Sequence, residues 1–337
     1  MLLITFCISL AALTEMTGNF GENEKTQRKQ APMQLKIALQ NEETHPLCRG
    51  MQKFATRLEE LSGGQMELEL HYSAELGDPK EVIEQVQSGS VDGTMLSAGI
   101  VSELCKDLGV FSMPYLFDSV EHARYFEQSA EGEKLFRSVQ ESGSKMVCVG
   151  VYQEDARNYF FTKKLVRNPE NLKGLRLRVQ DGEIYRATAE ALGAEPEEID
   201  FSNLYSALVS GVADGAEQPV SGFVVNHYET ICSYYLLDEH EFNPNLILFS
   251  EAAWTQLSEQ QKAWIKQAFS ESVAVFEQVS DRQAVAYLEE MKKNGVNVIS
   301  VDRTAWQAAV RPVYQAYEAD FSELIEEIRK TRPEEEK

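Results

Sequence analysis

A chain of 337 residues, 43% hydrophobic and 26% charged, is too long for one ordinary core and excludes a disordered or fibrous class. Two lobes of roughly 100–200 residues each suit that length. A net charge of −22 excludes a nucleic-acid partner, which would need a basic face to displace counterions. The same charge repels an anionic ligand at long range, but screening acts over about 8 Å at physiological salt, so a few local arginines can still dominate inside a cleft.

Leu2 to Leu13 is almost wholly apolar and has about the length of a signal-peptide core, although no Lys or Arg precedes it. The polar stretch Thr17 to Gln30 reads as a linker. Residues 1–33 are therefore expected to be a signal or anchor plus linker, which places the protein outside the cytoplasm. A buried N-terminal helix is the alternative. No apolar run reaches the roughly 20 residues that span a bilayer.

The folded part begins near Met33, where Leu35 to Leu39 alternates like a strand. Pro46 opens a helix whose apolar face is Leu47, Met51, Phe54, Leu58 and Leu61, stopped by Ser62-Gly63-Gly64. Met66 to Tyr72 alternates again. Asp78-Pro79-Lys80-Glu81 is a capping box opening the next helix, and Asp118 to Glu121 repeats that pattern before Ala123 and Phe126. Met146 to Val151 reads as a buried strand.

A second region starts close to Arg157. Gly174 to Val179 is a strand whose alternation puts Leu175, Leu177 and Val179 on one face, and Arg176 and Arg178 on the other. A helix ending at Gly193 and a short helix over Ser202 to Val209 follow. Strands alternating with helices predict α/β lobes. Ser258 with Gln261 then caps a helix much longer than 25 residues, ending near Lys292, Lys293 and Gly295, long enough to brace two lobes. The Glu-rich end from Pro333 to Lys337 is expected to fray.

No GxSxG elbow, Walker A loop, GxGxxG fingerprint or HExxH pair occurs. No cofactor or metal is implied, and an enzyme is poorly supported. The cysteines Cys7, Cys48, Cys105, Cys148 and Cys232 form no CxxC pair. Isolated thiols are the expected form, with one disulfide open as an alternative.

Three words stand in order: Asn171-Leu-Lys-Gly-Leu-Arg-Leu-Arg-Val-Gln180, Phe201-Ser-Asn-Leu-Tyr-Ser-Ala-Leu208 and Gly211-Val-Ala-Asp-Gly-Ala-Glu-Gln-Pro219. With Leu76-Gly77, Gln87 to Asp92 and Phe111 to Phe117, they resemble the solute-binding proteins of tripartite ATP-independent periplasmic (TRAP) transporters over nearly everything after residue 34. The resemblance implies two α/β lobes forming a hinged clamp, with a long helix over both. Lobe I would comprise 34–154 plus about 244–283, and lobe II 155–243 plus about 284–330. It also implies capture of a small carboxylate that is handed to a membrane permease driven by an ion gradient; the acidic surface suits a monomer.

Arg178 matches the arginine that pairs with the ligand carboxylate, a role its planar, permanently charged fork suits; Arg176 is expected to be a solvated strand arginine. Arg157 matches a second arginine near that carboxylate, with a surface ion pair to Asp155 or Glu154 as the alternative. Gln218 stands where asparagine is usual. Its amide can donate and accept. On the opposite wall, His45 either meets ligand or caps the first helix, Glu81 either accepts ligand hydroxyls or serves its capping box, and Ser97 follows a strand into the cleft. Gln180 and His240 complete the candidates. Leu237-Asp-Glu-His240, Pro244 and the Trp254 segment look most like binders of sugar acids, so a uronate such as D-glucuronate or D-galacturonate is the expected ligand. A dicarboxylate, or presentation of the ligand to a receptor kinase, are the alternatives.

Overall fold

The computed structural model describes residues 31–333. The expected signal or anchor segment up to Gln30, with Cys7 inside it, and the tail from Glu334 lie outside the described residues. Among the described residues the strands are β1 (Met33–Leu39), β2 (Met66–His71), β3 (Gly93–Ser97), β4 (Met146–Tyr152), β5 (Asn158–Phe161), β6 (Arg176–Val179), β7 (Glu195–Glu198), β8 (Gly215–Gln218), β9 (Tyr234–Leu237), β10 (Asn245–Ser250) and β11 (Asn297–Ser300).

These strands make two sheets, ordered β2-β1-β3-β10-β4 and β11-β9-β5-β8-β6-β7, each the centre of one α/β lobe. In the first sheet β1 runs parallel to β2 and β3, with Leu35 opposite Leu68 and Ile37 opposite Gly93. Parallel neighbours need crossover connections, which the helices Pro46–Ser62 and Pro79–Ser88 supply. β10 is antiparallel to both β3 and β4, because it enters this sheet from the other lobe.

The chain crosses between lobes at Gln153–Arg157, after β4, and returns at Asp238–Pro244, before β10. The two crossings pair with each other: Arg157 N donates to the Glu241 carbonyl at 2.8 Å and His240 N to the Arg157 carbonyl at 3.2 Å. A third crossing is the helix Glu259–Lys293. It packs on Pro46–Ser62 in the first lobe and on Val220–Val225 in the second. Its first half anchors Phe269 edge-on to Phe54 at 5.6 Å, and Phe276 lies 4.6 Å from Tyr152. From Asp281 to Glu290, in its second half, this helix has no fully buried position before Met291 is buried again, as expected of a brace lying across two bodies.

Local signals translated well where a cap was unambiguous. The Asp78/Glu81 and Ser258/Gln261 capping boxes both form. Asp118 does not cap. Ser119 takes that position and accepts from His122 N, because its short hydroxyl sits directly before the helix Val120–Glu127. Asp118 instead uses its own N–H to donate to His122 Nδ1 at 3.2 Å. The C-terminal helix Arg311–Lys330, in the segment expected in the second lobe, also ties to the first lobe. Lys106 pairs with Asp320 at 2.7 Å, Tyr314 donates to the Pro114 carbonyl at 2.9 Å and His122 Nε2 lies 2.9 Å from the Ile328 carbonyl. Cys48, Cys105, Cys148 and Cys232 are free thiols.

Candidate functional site

β6 and β8 lie parallel, with Leu177 opposite Gly215, and run toward the same edge of the second sheet. Arg178 and then Gln180 follow on one strand, Glu217 and Gln218 on the other. β5 starts at that edge from the interlobe crossing, with Asn158 opposite Gln218 and Tyr159 opposite Glu217. Carboxyl ends of parallel strands meeting a crossover form the usual crevice of open α/β sheets.

Arg178 is 3% exposed. Its Nε donates to the Ile199 carbonyl at 2.8 Å, while Nη1 is fully covered and has no partner among the described residues. Burial pulls its pKa below the ordinary value, Glu217 pulls the other way, and the neighbouring Arg157 adds to the depression. A guanidinium stays charged even so. Arg176, on the same strand face, behaves differently: it is half-exposed and bonds Asp214 at 2.9 Å, the solvated role expected of it.

Arg157 does not pair with Asp155 or Glu154. Its Nε bonds Glu217 Oε2, its Nη2 donates to Oε1 at 3.1 Å, and Glu241 Oε2 lies 3.9 Å from Nε. The β5/β8 register brings Glu217 to this fork, whereas Asp155 and Glu154 lie on the crossing strand before it. Burial disfavours the charge on Arg157, but Glu217 and then Glu241 outweigh it and raise its pKa.

Beside this pair, His240 Nδ1 sits 2.7 Å from Asp238 Oδ2 and its ring stacks on Tyr159 with centroids 4.0 Å apart. Burial works against protonation of His240, yet Asp238 overcomes it and the pKa is raised. Burial raises that of Glu241, partly offset by Arg157. Glu241 Oε1 accepts from Tyr185 Oη at 3.0 Å and from Asn243 Nδ2 at 2.7 Å. A cavity of about 20 Å³, room for one water, lies between Glu217, His240, Glu241, Tyr185, Thr188 and Ser112. Among the described residues Glu217, His240 and Glu241 bring three potential metal-ligand atoms within 4.8 Å of one another. Arg157 already neutralises Glu217 there, so the group works as an ion-pair network.

Of the remaining candidates, Gln180, Ser97 and Gln218 are buried. Gln180 Nε2 and Ser97 Oγ, like Arg178 Nη1, have no partner among the described residues. Ser97 precedes a short helix without capping it. Gln218 lends its carbonyl to Tyr235 Oη at 2.9 Å. His45 caps the first helix: Nδ1 accepts from Leu47 N at 3.3 Å, which leaves the ring proton on Nε2, 3.8 Å from Glu154 Oε1. Burial holds His45 below its ordinary pKa. Glu81 is exposed, and its carboxylate accepts from Asp78 N at 3.1 Å within the capping box; no bond links it to the buried cluster. Sequence reasoning missed Glu217, Asp238, Glu241, Tyr185 and Asn243. The one signal for Glu217 was an acid following Gly215 and Ala216 in a short, fully buried strand.

Two α/β lobes, hinged by paired crossings and closing on a buried cationic edge, define a solute-binding protein of the clamp type. The chain belongs to the bacterial extracellular solute-binding protein family 7 (DctP), whose model matches residues 37–320. Solved TRAP periplasmic solute-binding proteins share its fold. One from Pseudomonas putida F1, with bound D-glucuronate, is 28% identical with a TM-score of 0.85, covering 88% of this chain and 97% of that one. One from Xanthobacter autotrophicus Py2, with bound β-D-galacturonate, is 26% identical with a TM-score of 0.84, covering 88% and 99%. One from Bordetella bronchispeptica, with density ascribed to pantoate, is 28% identical with a TM-score of 0.86, covering 89% and 100%. No described helix is long and apolar enough to cross a membrane.

Proposed function

We propose that this protein captures a small sugar acid outside the cytoplasm and delivers it to an ion-gradient-driven permease, with Arg178 gripping the carboxylate. The observation that supports this most is the covered, unpartnered Nη1 of Arg178. A buried cationic donor without an acceptor is costly unless a ligand satisfies it. A carboxylate supplies two oxygens to the fork, and each charge-assisted bond is worth about 1.5–3 kcal/mol.

Arg157 takes a second part in this reading: locked by Glu217, it fixes the electrostatics at the carboxylate end. Gln180 Nε2, Ser97 Oγ and the Gln218 amide supply donors and acceptors suited to hydroxyls along a sugar acid. Glu81 stays with its capping box in this reading. Relatives of the same fold with bound D-glucuronate and β-D-galacturonate favour a uronate over a C4-dicarboxylate.

A thermal-shift screen followed by calorimetry tests the proposal. D-glucuronate or D-galacturonate should raise Tm by mass action, and the ligand should be recovered unchanged. Stabilisation by dicarboxylates alone would sink the sugar-acid reading, and turnover of the acid would sink the binding reading.

A further inference from the structure

Tyr185 comes from the second lobe, on the helix Glu183–Ala191, and its hydroxyl ends in a socket built by the first lobe and the hinge. All three bonding capacities of that hydroxyl are used. It accepts from Ser112 Oγ of the first lobe at 3.0 Å and from Asn243 Nδ2 of the return crossing at 2.6 Å, and it donates to Glu241 Oε1 at 3.0 Å. Asn243 relays the contact onward: its Oδ1 accepts from Gly99 N, again in the first lobe, at 3.2 Å.

On its Gly99 side the socket has no spare room. A Cβ on Gly99 would overlap the Tyr185 hydroxyl and come within 2.9 Å of its Cζ and 3.0 Å of Asn243 Nδ2. The two side chains near that Cβ are held by the bonds above, so a methyl group at Gly99 would displace the tyrosine tip and break those bonds. The room that a side chain at Gly99 would take is filled by a tyrosine arriving from the opposite lobe.

The geometry points to Tyr185 as an interlobe latch, a positioning residue that stabilises the closed clamp through Ser112, Asn243 and the bare backbone at Gly99. This inference rests on the clamp reading above and adds a residue that acts on closure instead of on ligand chemistry. Opening the lobes separates Tyr185 from Ser112 and Gly99, which move with the first sheet. The latch therefore slows ligand release, because rates of escape follow the closed-state population.

The test compares wild type, Tyr185→Phe and Gly99→Ala with D-glucuronate and D-galacturonate as probes, reading dissociation rate, small-angle scattering radius and Tm. Tyr185→Phe should release both probes faster by the same factor, about 5- to 30-fold, while keeping the wild-type Tm within a few degrees. A direct ligand contact would instead give factors that differ between the two epimers. Gly99→Ala should keep its circular dichroism but fail to contract when the probe is added. Unchanged release and unchanged contraction in both variants would overturn the latch. If neither probe binds wild type, the sugar-acid reading fails by itself. The free proteins then decide: a larger radius for Gly99→Ala supports the latch, and equal radii overturn it.

Discussion

The carboxylate of Glu217 locks Arg157, with Nη2 donating to Oε1 at 3.1 Å, while Arg178 on the neighbouring side of β8 keeps Nη1 without a partner. Two arginines in one buried site thus have opposite duties. One is neutralised by the protein, and the other keeps a covered donor that the proposed function assigns to a ligand carboxylate.

That division predicts opposite stability effects. Glu217→Ala leaves the buried Arg157 charge without its hydrogen-bonded partner, with only the more distant Glu241 carboxylate at 3.9 Å, and should cost up to about 3–5 kcal/mol in urea unfolding. Arg178→Ala removes a charge that the free protein does not pair and loses one bond to a carbonyl, so its cost should stay below about 1.5 kcal/mol. Equal destabilisation by the two variants would contradict the assignment.

Gly222 faces the Gln218 amide: a Cβ there would sit 2.8 Å from Oε1. Alanine suits the helix Val220–Val225 better than glycine, so Gly222→Ala should leave Tm unchanged or slightly raised. It should nevertheless displace the amide and weaken uronate binding several-fold by calorimetry. Unchanged affinity would remove Gln218 from the site.

Asp155, on the first crossing, has its Oδ1 covered and without a partner among the described residues. Burial, reinforced by Glu154, pushes its pKa up to about 7. The unfolded chain titrates near 3.9, so the folded protein holds an extra proton between those values. Stability from this group therefore falls as pH rises through that window and is flat above it. Asp155→Asn should match wild type near pH 4 and gain a Tm advantage that grows to pH 7. At about 1.36 kcal/mol per unit the ceiling is about 4 kcal/mol, lowered by the solvent the side chain still reaches. A pH-independent gap would contradict this.

The positions of Arg178 and the capping boxes were legible because each depends on short-range order. Alternation fixed the strand face, the surrounding words selected Arg178 over Arg176, and Asp78/Glu81 and Ser258/Gln261 sit three residues apart. Glu81 shows the limit of that reading, since the capping box and a cleft role call for the same carboxylate, and only the local bond to Asp78 N is seen. Glu217, Asp238 and Glu241 were not legible for a different reason. Their partner Arg157, or their neighbour His240, meets them through pairing of distant segments, and in a chain of net charge −22 an acidic residue is not by itself a signal. Tyr185 was hidden likewise: its socket joins Gly99, Ser112 and Asn243 from separate parts of the chain.

The most direct test of the account is the D-glucuronate dissociation constant of Arg178→Ala beside wild type, with Arg178→Lys as the intermediate case. Loss of a bidentate charge-assisted grip predicts about a 100-fold or greater weakening in the alanine variant, partial recovery in the lysine variant, and wild-type circular dichroism in both. Wild-type affinity in a folded Arg178→Ala protein would contradict it.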